Sequence, residues 1–336
     1  MDKVSTKKQM IKKPIGISKD IKISEISPGN SINGLPLGGY VTNVQELWRK
    51  GYDGTGVIIG VIDDGVNATH PALIRCPSKS KKVIAEYNFV SGGRTPNTNK
   101  EHGTAVAGLI TGWTSDGYRG MAPNSRIYSF NVYDTDDNAD PDDVVMAVHK
   151  AIELGCHIIN ISSGSLEPYT RLLNVIRRAY NFNIPCVCSA GNSGPNTIEY
   201  PAGYPESISV GSVHYNYTNG TITQSSFSST NNQVDCCAVG ENILILLAGT
   251  SGYTMASGTS FSTPITTGFM ALLRQYILNK QINVKTTLTV EVMKNLLYAN
   301  TLDLFTLGKD NMSGVGFIFR KGSINTPLTV KTFGTI

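Results

Sequence analysis

The chain has 336 residues, 40% of them hydrophobic and 16% charged, a composition that supports a sizeable core and excludes a wholly disordered polypeptide. The net charge of +4 is concentrated in residues 1–13, which hold five lysines and one aspartate; the remainder carries 24 basic and 24 acidic residues (29 less 5 and 25 less 1). A neutral body with a basic tail is not the footprint of a nucleic-acid-binding protein, and no apolar run approaches the ~20 residues of a membrane span. The charged N-terminus is followed by no apolar stretch, so no secretory signal is read there and the expected location is cytoplasmic.

Residues 1–40 mix lysine, serine, glycine and proline with weak periodicity, and read as an N-terminal extension outside the main domain, either inhibitory or disordered. The domain itself is expected over residues 41–325, with a short tail over 326–336. Residues 57–62 form an unbroken apolar run, as expected for a strand covered on both faces. Residues 126–133, 157–162, 184–190 and 207–213 are further strand candidates. Between them, residues 141–154 read as a helix: Asp140 can cap it, Pro141 takes its first position and Gly155 follows its end. Val144, Val145, Val148, Ala151 and Ile152 make its apolar face. Residues 170–182 repeat the pattern, 260–279 read as a long buried helix, and 290–299 as another. Alternating strands and helices predict an α/β fold with a mostly parallel central sheet and helices on both faces. The six cysteines (76, 156, 186, 188, 236 and 237) read as reduced core residues, because their spacing matches no metal-ligand pattern.

Three segments carry chemistry. Asp63 ends the first apolar strand, where parallel sheets place ligands and catalytic groups. His102 opens a helix of small residues (His-Gly-Thr-Ala-Val-Ala-Gly). Ser260 follows Gly258-Thr259 at the start of an apolar helix, where unpaired N–H groups favour negative charge. Singly, each has a structural use as a cap, turn or packing residue. Together they supply orienting acid, base and nucleophile in the chain order Asp, His, Ser, which is the subtilisin order and neither the chymotrypsin nor the α/β-hydrolase one. Position 262 is Ser, so residues 258–262 are not the GxSxG elbow of esterases.

On these residues the chain resembles the subtilisin-like serine protease (subtilase) family over roughly residues 44–324, and is most similar to intracellular bacterial subtilisins. The resemblance implies a three-layer subtilisin-like fold and a serine endopeptidase that cleaves polypeptides through an acyl-enzyme. It extends to Ser189-Ala190-Gly191-Asn192, which resembles the segment with the oxyanion-hole asparagine, and to Ser162-Ser163-Gly164, which resembles the strand that pairs with substrate. Ala190 and Gly191 are implied substrate contacts. In this scheme His102 takes the proton of Ser260, Asp63 holds the imidazole, and Asn192 with the Ser260 N–H binds the oxyanion.

The chain also departs from the family pattern. Asp64 makes an Asp-Asp-Gly motif, and Ala105 stands where many members carry a second histidine. Where many members have a structural-calcium aspartate the chain has Ala72, and the loop 112–120 that would supply other ligands is short, so that calcium site is expected to be weakened or absent. Catalysis requires no cofactor and no metal. The acidic loop 134–143 reads as a solvated loop with a helix cap. Glu199, just before Tyr200-Pro201, falls where the family places the base of the pocket for the side chain preceding the cleaved bond. It either lines that pocket and favours Arg or Lys, or turns outward to water. Residues 32–37 (Ile-Asn-Gly-Leu-Pro-Leu) are a candidate strand lying across the cleft. The alternatives to a broad endopeptidase are a dedicated leader- or precursor-processing subtilase and an inactive subtilase scaffold that binds a partner.

Overall fold

The computed structural model describes residues 9–12, 41–115, 117–216, 219–279 and 288–320. In chain order the elements are β1 (Ile11–Lys12), α1 (Gln45–Arg49), β2 (Ile58–Asp63), α2 (Pro71–Ile74), β3 (Val83–Asn88), α3 (Glu101–Thr111), β4 (Arg126–Asn131), β5 (Asn138–Ala139), α4 (Pro141–Glu153), β6 (Ile158–Ile161) and α5 (Thr170–Asn181). There follow β7 (Cys186–Ser189), β8 (Ser207–Tyr215), β9 (Ile222–Gln224), β10 (Val234–Val239), β11 (Ile243–Leu246), β12 (Tyr253–Ala256), α6 (Thr259–Asn279), α7 (Val290–Ala299), β13 (Thr301–Leu302) and β14 (Phe317–Ile318).

The main sheet runs β13-β14-β10-β8-β7-β6-β2-β4-β3, with β9 paired to β8. The pairs from β3 across to β10, and β10 with β14, are parallel; β13 with β14 and β8 with β9 are antiparallel. This is the α/β sheet with mostly parallel strands that the alternation predicted. From β2 the chain goes out to β3, returns through β4, and then places β6 on the other side of β2. The strand order therefore reverses at β2, and parallel sheets bind ligands beyond the carboxyl ends of the strands at such a point.

Helices cover both faces. Val106, Leu109 and Ile110 of α3 share one core with Phe269 and Leu272 of α6 and Leu297 of α7. Val144 and Val148 of α4 share the second with Leu172 and Ile176 of α5. Strand β2 divides its side chains between them with a period of two, Ile59 and Val61 to the first and Ile62 to the second. Helix α6 is buried without a break from Thr259 to Leu273, as its all-round apolar sequence requires. Helix α4 begins as read from the sequence, with Asp140 accepting from the Asp142 N–H at 2.8 Å and Pro141 at the first position. All six cysteines are buried free thiols.

Part of the N-terminal extension lies on the domain. Ile11–Lys12 pairs antiparallel with Asn138–Ala139, and Ile11 is buried in the second core beside Tyr133 and Ala139. Residues 32–37 and the tail from 321 onward lie outside the described residues. Among the described residues no helix is long and apolar enough to cross a membrane.

Candidate active site

Asp63 is the last residue of β2, and His102 and Ser260 are each the second residue of a helix, α3 and α6. All three are at most 2% exposed, so whatever charge they carry is weakly screened by water. Both carboxylate oxygens of Asp63 lie within hydrogen-bonding reach of His102 Nδ1, at 2.8 and 3.0 Å, and Oδ1 also accepts from the Asp64 N–H at 2.8 Å. That contact places the Nδ1 proton on the side of the acid and leaves Nε2 as the basic nitrogen.

Asp64 has a part of its own that the motif alone did not disclose. Its Oδ1 accepts from the Gly103 N–H at 2.7 Å and its Oδ2 from the His102 N–H at 3.2 Å. The residue at the N-cap position, Lys100, makes no side-chain cap, so these early amides of α3 are satisfied from the next residue after Asp63 rather than from the helix's own chain. The two consecutive acids thus hold the imidazole and the helix that bears it. The approach is so close that a Cβ at Gly103 would lie 2.1 Å from the Gly65 carbonyl oxygen, which accounts for the glycine after the histidine.

Ser260 Oγ donates to the Ser162 carbonyl at 2.9 Å, placing the hydroxyl against the segment that leaves β6. The ladders of β6 with β2 and with β7 both end at Ile161, so 162–164 continue past the sheet before Ser165 pairs with Tyr200. Asn160 fastens this end to α6: its Nδ2 donates to Ser162 Oγ and its Oδ1 accepts from Thr267 Oγ1, both at 2.8 Å.

Asn192 Oδ1 accepts from the N–H and from the hydroxyl of Thr259, both at 2.9 Å. An atom that accepts from an N–H is an oxygen, so the amide orientation is determined and Nδ2 is the free-facing donor. Nδ2 lies beside Gly258, two residues before Ser260; a Cβ at Gly258 would sit 3.5 Å from it. Thr259 was unremarked in the sequence, although its place between the glycine and the serine is the signal that would have found it.

Glu199 turns inward. Its Oε1 accepts from the Asn192 N–H (3.0 Å), Ser193 Oγ (2.8 Å) and Ser229 Oγ (3.3 Å). The carboxylate is wedged between two backbones: a Cβ at Gly191 would lie 2.0 Å from Oε1, and one at Gly164 would lie 3.4 Å from Oε2. Gly191 also has φ +111°, a conformation that side-chain-bearing residues rarely adopt. The side chain thus lies between the backbones of Gly164 and Gly191.

Tyr133 closes the other flank. Burial first, and then the negative charge of Asp63, hold its phenol far above the usual range, with Ser163 close by. Tyr133 bridges to Ala139 of β5, so the edge on which Ile11–Lys12 lies adjoins the substrate-strand segment. The acids of loop 134–143 serve the fold: Arg94 pairs with Asp134 and Asp143, Asp140 caps α4, and Asp142 pairs with Arg171.

Comparison with known proteins agrees with this architecture. Residues 54–316 match the model of the subtilase family (peptidase S8). The chain is 31% identical over 296 residues to subtilisin DY of Bacillus licheniformis, an alignment covering 87% of this chain and 97% of that protein. It is 31% identical over 256 residues to the major intracellular serine protease of Bacillus subtilis (strain 168), covering 73% and 76% of the two chains. The crystal structure of fervidolysin from Fervidobacterium pennivorans, a keratinolytic enzyme related to subtilisin, superposes with a TM-score of 0.73 at 26% identity, covering 93% of this chain and 49% of that one. The fold, the family model and these relatives together establish that the chain belongs to the subtilase family and is a subtilisin-type serine protease.

Proposed function

We propose that this chain is an active endopeptidase of the cytoplasm, with Ser260 as nucleophile, His102 as base, Asp63 as the orienting acid and Asn192 as oxyanion donor. The observation that carries the proposal is the clamp on Asn192. Thr259 occupies its oxygen from the first turn of the serine's own helix, which leaves its Nδ2 beside Gly258, at the start of that helix. In the resting state the Ser260 proton is donated to the Ser162 carbonyl. An extended peptide laid along 162–164 needs the backbone groups of that segment, and the hydroxyl then turns about its Cβ to the imidazole. His102 takes the proton as Ser260 Oγ bonds to the scissile carbonyl, Asp63 stabilises the imidazolium, and the oxyanion receives the Asn192 and Ser260 donors. The imidazolium returns the proton to the leaving amine, and water repeats the cycle on the acyl-enzyme. Labelling by a fluorophosphonate, absent in Ser260→Ala, together with cleavage of a peptide library, is the test. Labelling without peptide cleavage would leave a serine hydrolase of another kind, and no labelling would make the chain a binding scaffold.

The specificity that goes with this reading is for Arg or Lys before the cleaved bond. It is supported by the inward Glu199, whose Oε2 is free of the three donors that hold Oε1. A pocket so restricted favours a processor of particular precursors over a broad scavenger. The N-terminal extension is proposed to compete with substrate, since Ile11–Lys12 adds a strand to the edge beside the cleft in the way an extended peptide would.

A further inference from the structure

The carboxyl end of α3, the helix that bears His102, presents four carbonyls that no later turn of helix can satisfy. Three are taken by backbone: Gly108 O by the Gly112 N–H (2.8 Å), Leu109 O by Met121 (2.9 Å) and Ile110 O by Ala122 (2.7 Å). The fourth, Thr111 O, accepts from Lys82 Nζ, which also reaches Ala72 O at 3.3 Å. Lys82 stands immediately before β3 and is entirely closed off from solvent, and its one titratable neighbour of note is the buried Cys76 thiol. No carboxylate pairs with it among the described residues. A fully buried lysine without an acid partner is rare, and one aimed at two backbone carbonyls has the surroundings of a cation-binding site.

The residues at this place do not fit a calcium ion. Calcium takes six to eight oxygens, carboxylates among them. The position from which the family resemblance would supply one is a buried alanine methyl, Ala72. The described residues of 112–120 bond to one another and to α2: Trp113 N–H donates to Ala72 O (3.0 Å), Thr114 N–H to Tyr118 O (2.9 Å) and Gly120 N–H to Gly112 O (2.7 Å). Lys82 Nζ already stands between the two carbonyls that an ion would have to bridge.

We infer that the Lys82 side-chain nitrogen does in this chain the work of a structural metal ion, joining the end of α3 to the α2 turn, and that the domain's stability is independent of calcium. A lysine nitrogen keeps at least two N–H donors whether or not it is protonated, enough for both carbonyls. The carbonyl dipole at a helix carboxyl end favours such a donor. The nitrogen is also tethered covalently, so chelators cannot remove it.

The test uses full-length Ser260→Ala, which cannot digest itself, with melting measured at pH 7 after dialysis against EGTA and again in millimolar calcium chloride. Its melting temperature is expected to move by less than about 1 °C between the two, because a ligand that does not bind the native state does not stabilise it. Adding Lys82→Met, which keeps the length and apolar stem but removes the donors, is expected to lower the melting temperature by at least about 4 °C in both buffers. A rise of several degrees with calcium in the parent protein overturns the inference, as does a Lys82→Met protein as stable as its parent. Should Lys82→Met fail to fold, the calcium comparison on the unaltered lysine decides by itself.

Discussion

Glu199 shows how one side chain's bonding determines what its replacement would do. Because Oε1 accepts from an N–H and two hydroxyls, a glutamine at 199 must place its carbonyl there and present its NH2 group toward Gly164. The groove then offers a donor where it had offered an anion. Glu199→Gln is therefore expected to lower kcat/KM for peptides with Arg before the cleaved bond by roughly 10–100-fold, the worth of a charge-assisted hydrogen bond in a partly desolvated pocket, while leaving glutamine peptides little changed. Steady-state cleavage of matched Arg, Lys, Phe and Gln peptides by both proteins reads this out; equal loss on all four would mean that Glu199 supports the fold and does not select substrate. The direction of this carboxylate was open in the sequence because a glutamate beside Tyr-Pro carries no mark of which way it turns. What decides it is spatial: two glycines, 164 and 191, lie far apart in the chain and meet on either side of it.

At the level of elements, strand β1 is the departure from expectation. Residues 1–40 read as an extension because their pattern is weak, yet two residues suffice to pair with β5 and bury one isoleucine. If that strand occupies ground that substrate needs, Ile11→Asp removes a burial worth about 2 kcal/mol and is expected to lower KM several-fold with kcat nearly unchanged. Unaltered KM for long peptides would show the strand to be merely structural. The remaining elements were legible in proportion to how fully one period governs them. Helices α4, α5 and α6 stand out because each packs against one continuous core, and strand β2 because it is covered by a core on each face. Strand β3 lies at the sheet edge, only its first residue, Val83, is buried while Glu86 and Asn88 are exposed, and no run marked it. Strand β10 carries Asp235 inside a fully buried segment, which its sequence argues against. The acid is accommodated by the Ser209 N–H, the Tyr298 hydroxyl and Lys294, all brought from elsewhere in the fold. Asp63, His102 and Ser260 drew notice for the opposite reason, since each sits in a short motif among glycines and small residues. The bonds of Asp64 to the His102 and Gly103 amides are the part that only three dimensions supply.

For the whole molecule, the buried titratable groups predict a stability that passes through a maximum and falls steeply on the alkaline side. Burial pushes the Cys156 and Cys188 thiols up to about 12 and holds Cys186, Cys236 and Cys237 well above their ordinary value of 9. The folded chain therefore keeps protons that the unfolded chain releases above pH 9, so stability present below that pH is lost as the pH rises through the interval up to the folded-state values. Each group contributes a slope of about 1.4 kcal/mol per pH unit once its unfolded counterpart is ionised. The buried Tyr118 and Tyr133 phenols add to the slope from pH 10. Lys82 acts in the opposite sense: burial lowers it from 10.5 to about 7, the unfolded chain binds the extra proton between those values, and stability rises with pH across that window. One proton gained stands against five lost. Between pH 7 and about 8 the lysine tilts the curve gently upward; beyond that the five unfolded thiols begin to ionise, outweigh it, and exhaust a stability of ~5–15 kcal/mol within a few pH units. Urea unfolding of Ser260→Ala in reductant, from pH 6 to 10.5, is expected to give a maximum at about pH 8 to 8.5 and a steep fall beyond it. Adding Cys186→Ala and Cys237→Ala should remove about two protons from the alkaline slope, whatever those changes do to the absolute stability, and Lys82→Met should flatten the rise between pH 7 and about 8. A profile level through pH 10.5 would mean that the thiols ionise in the folded protein, and that water reaches a core the structure closes.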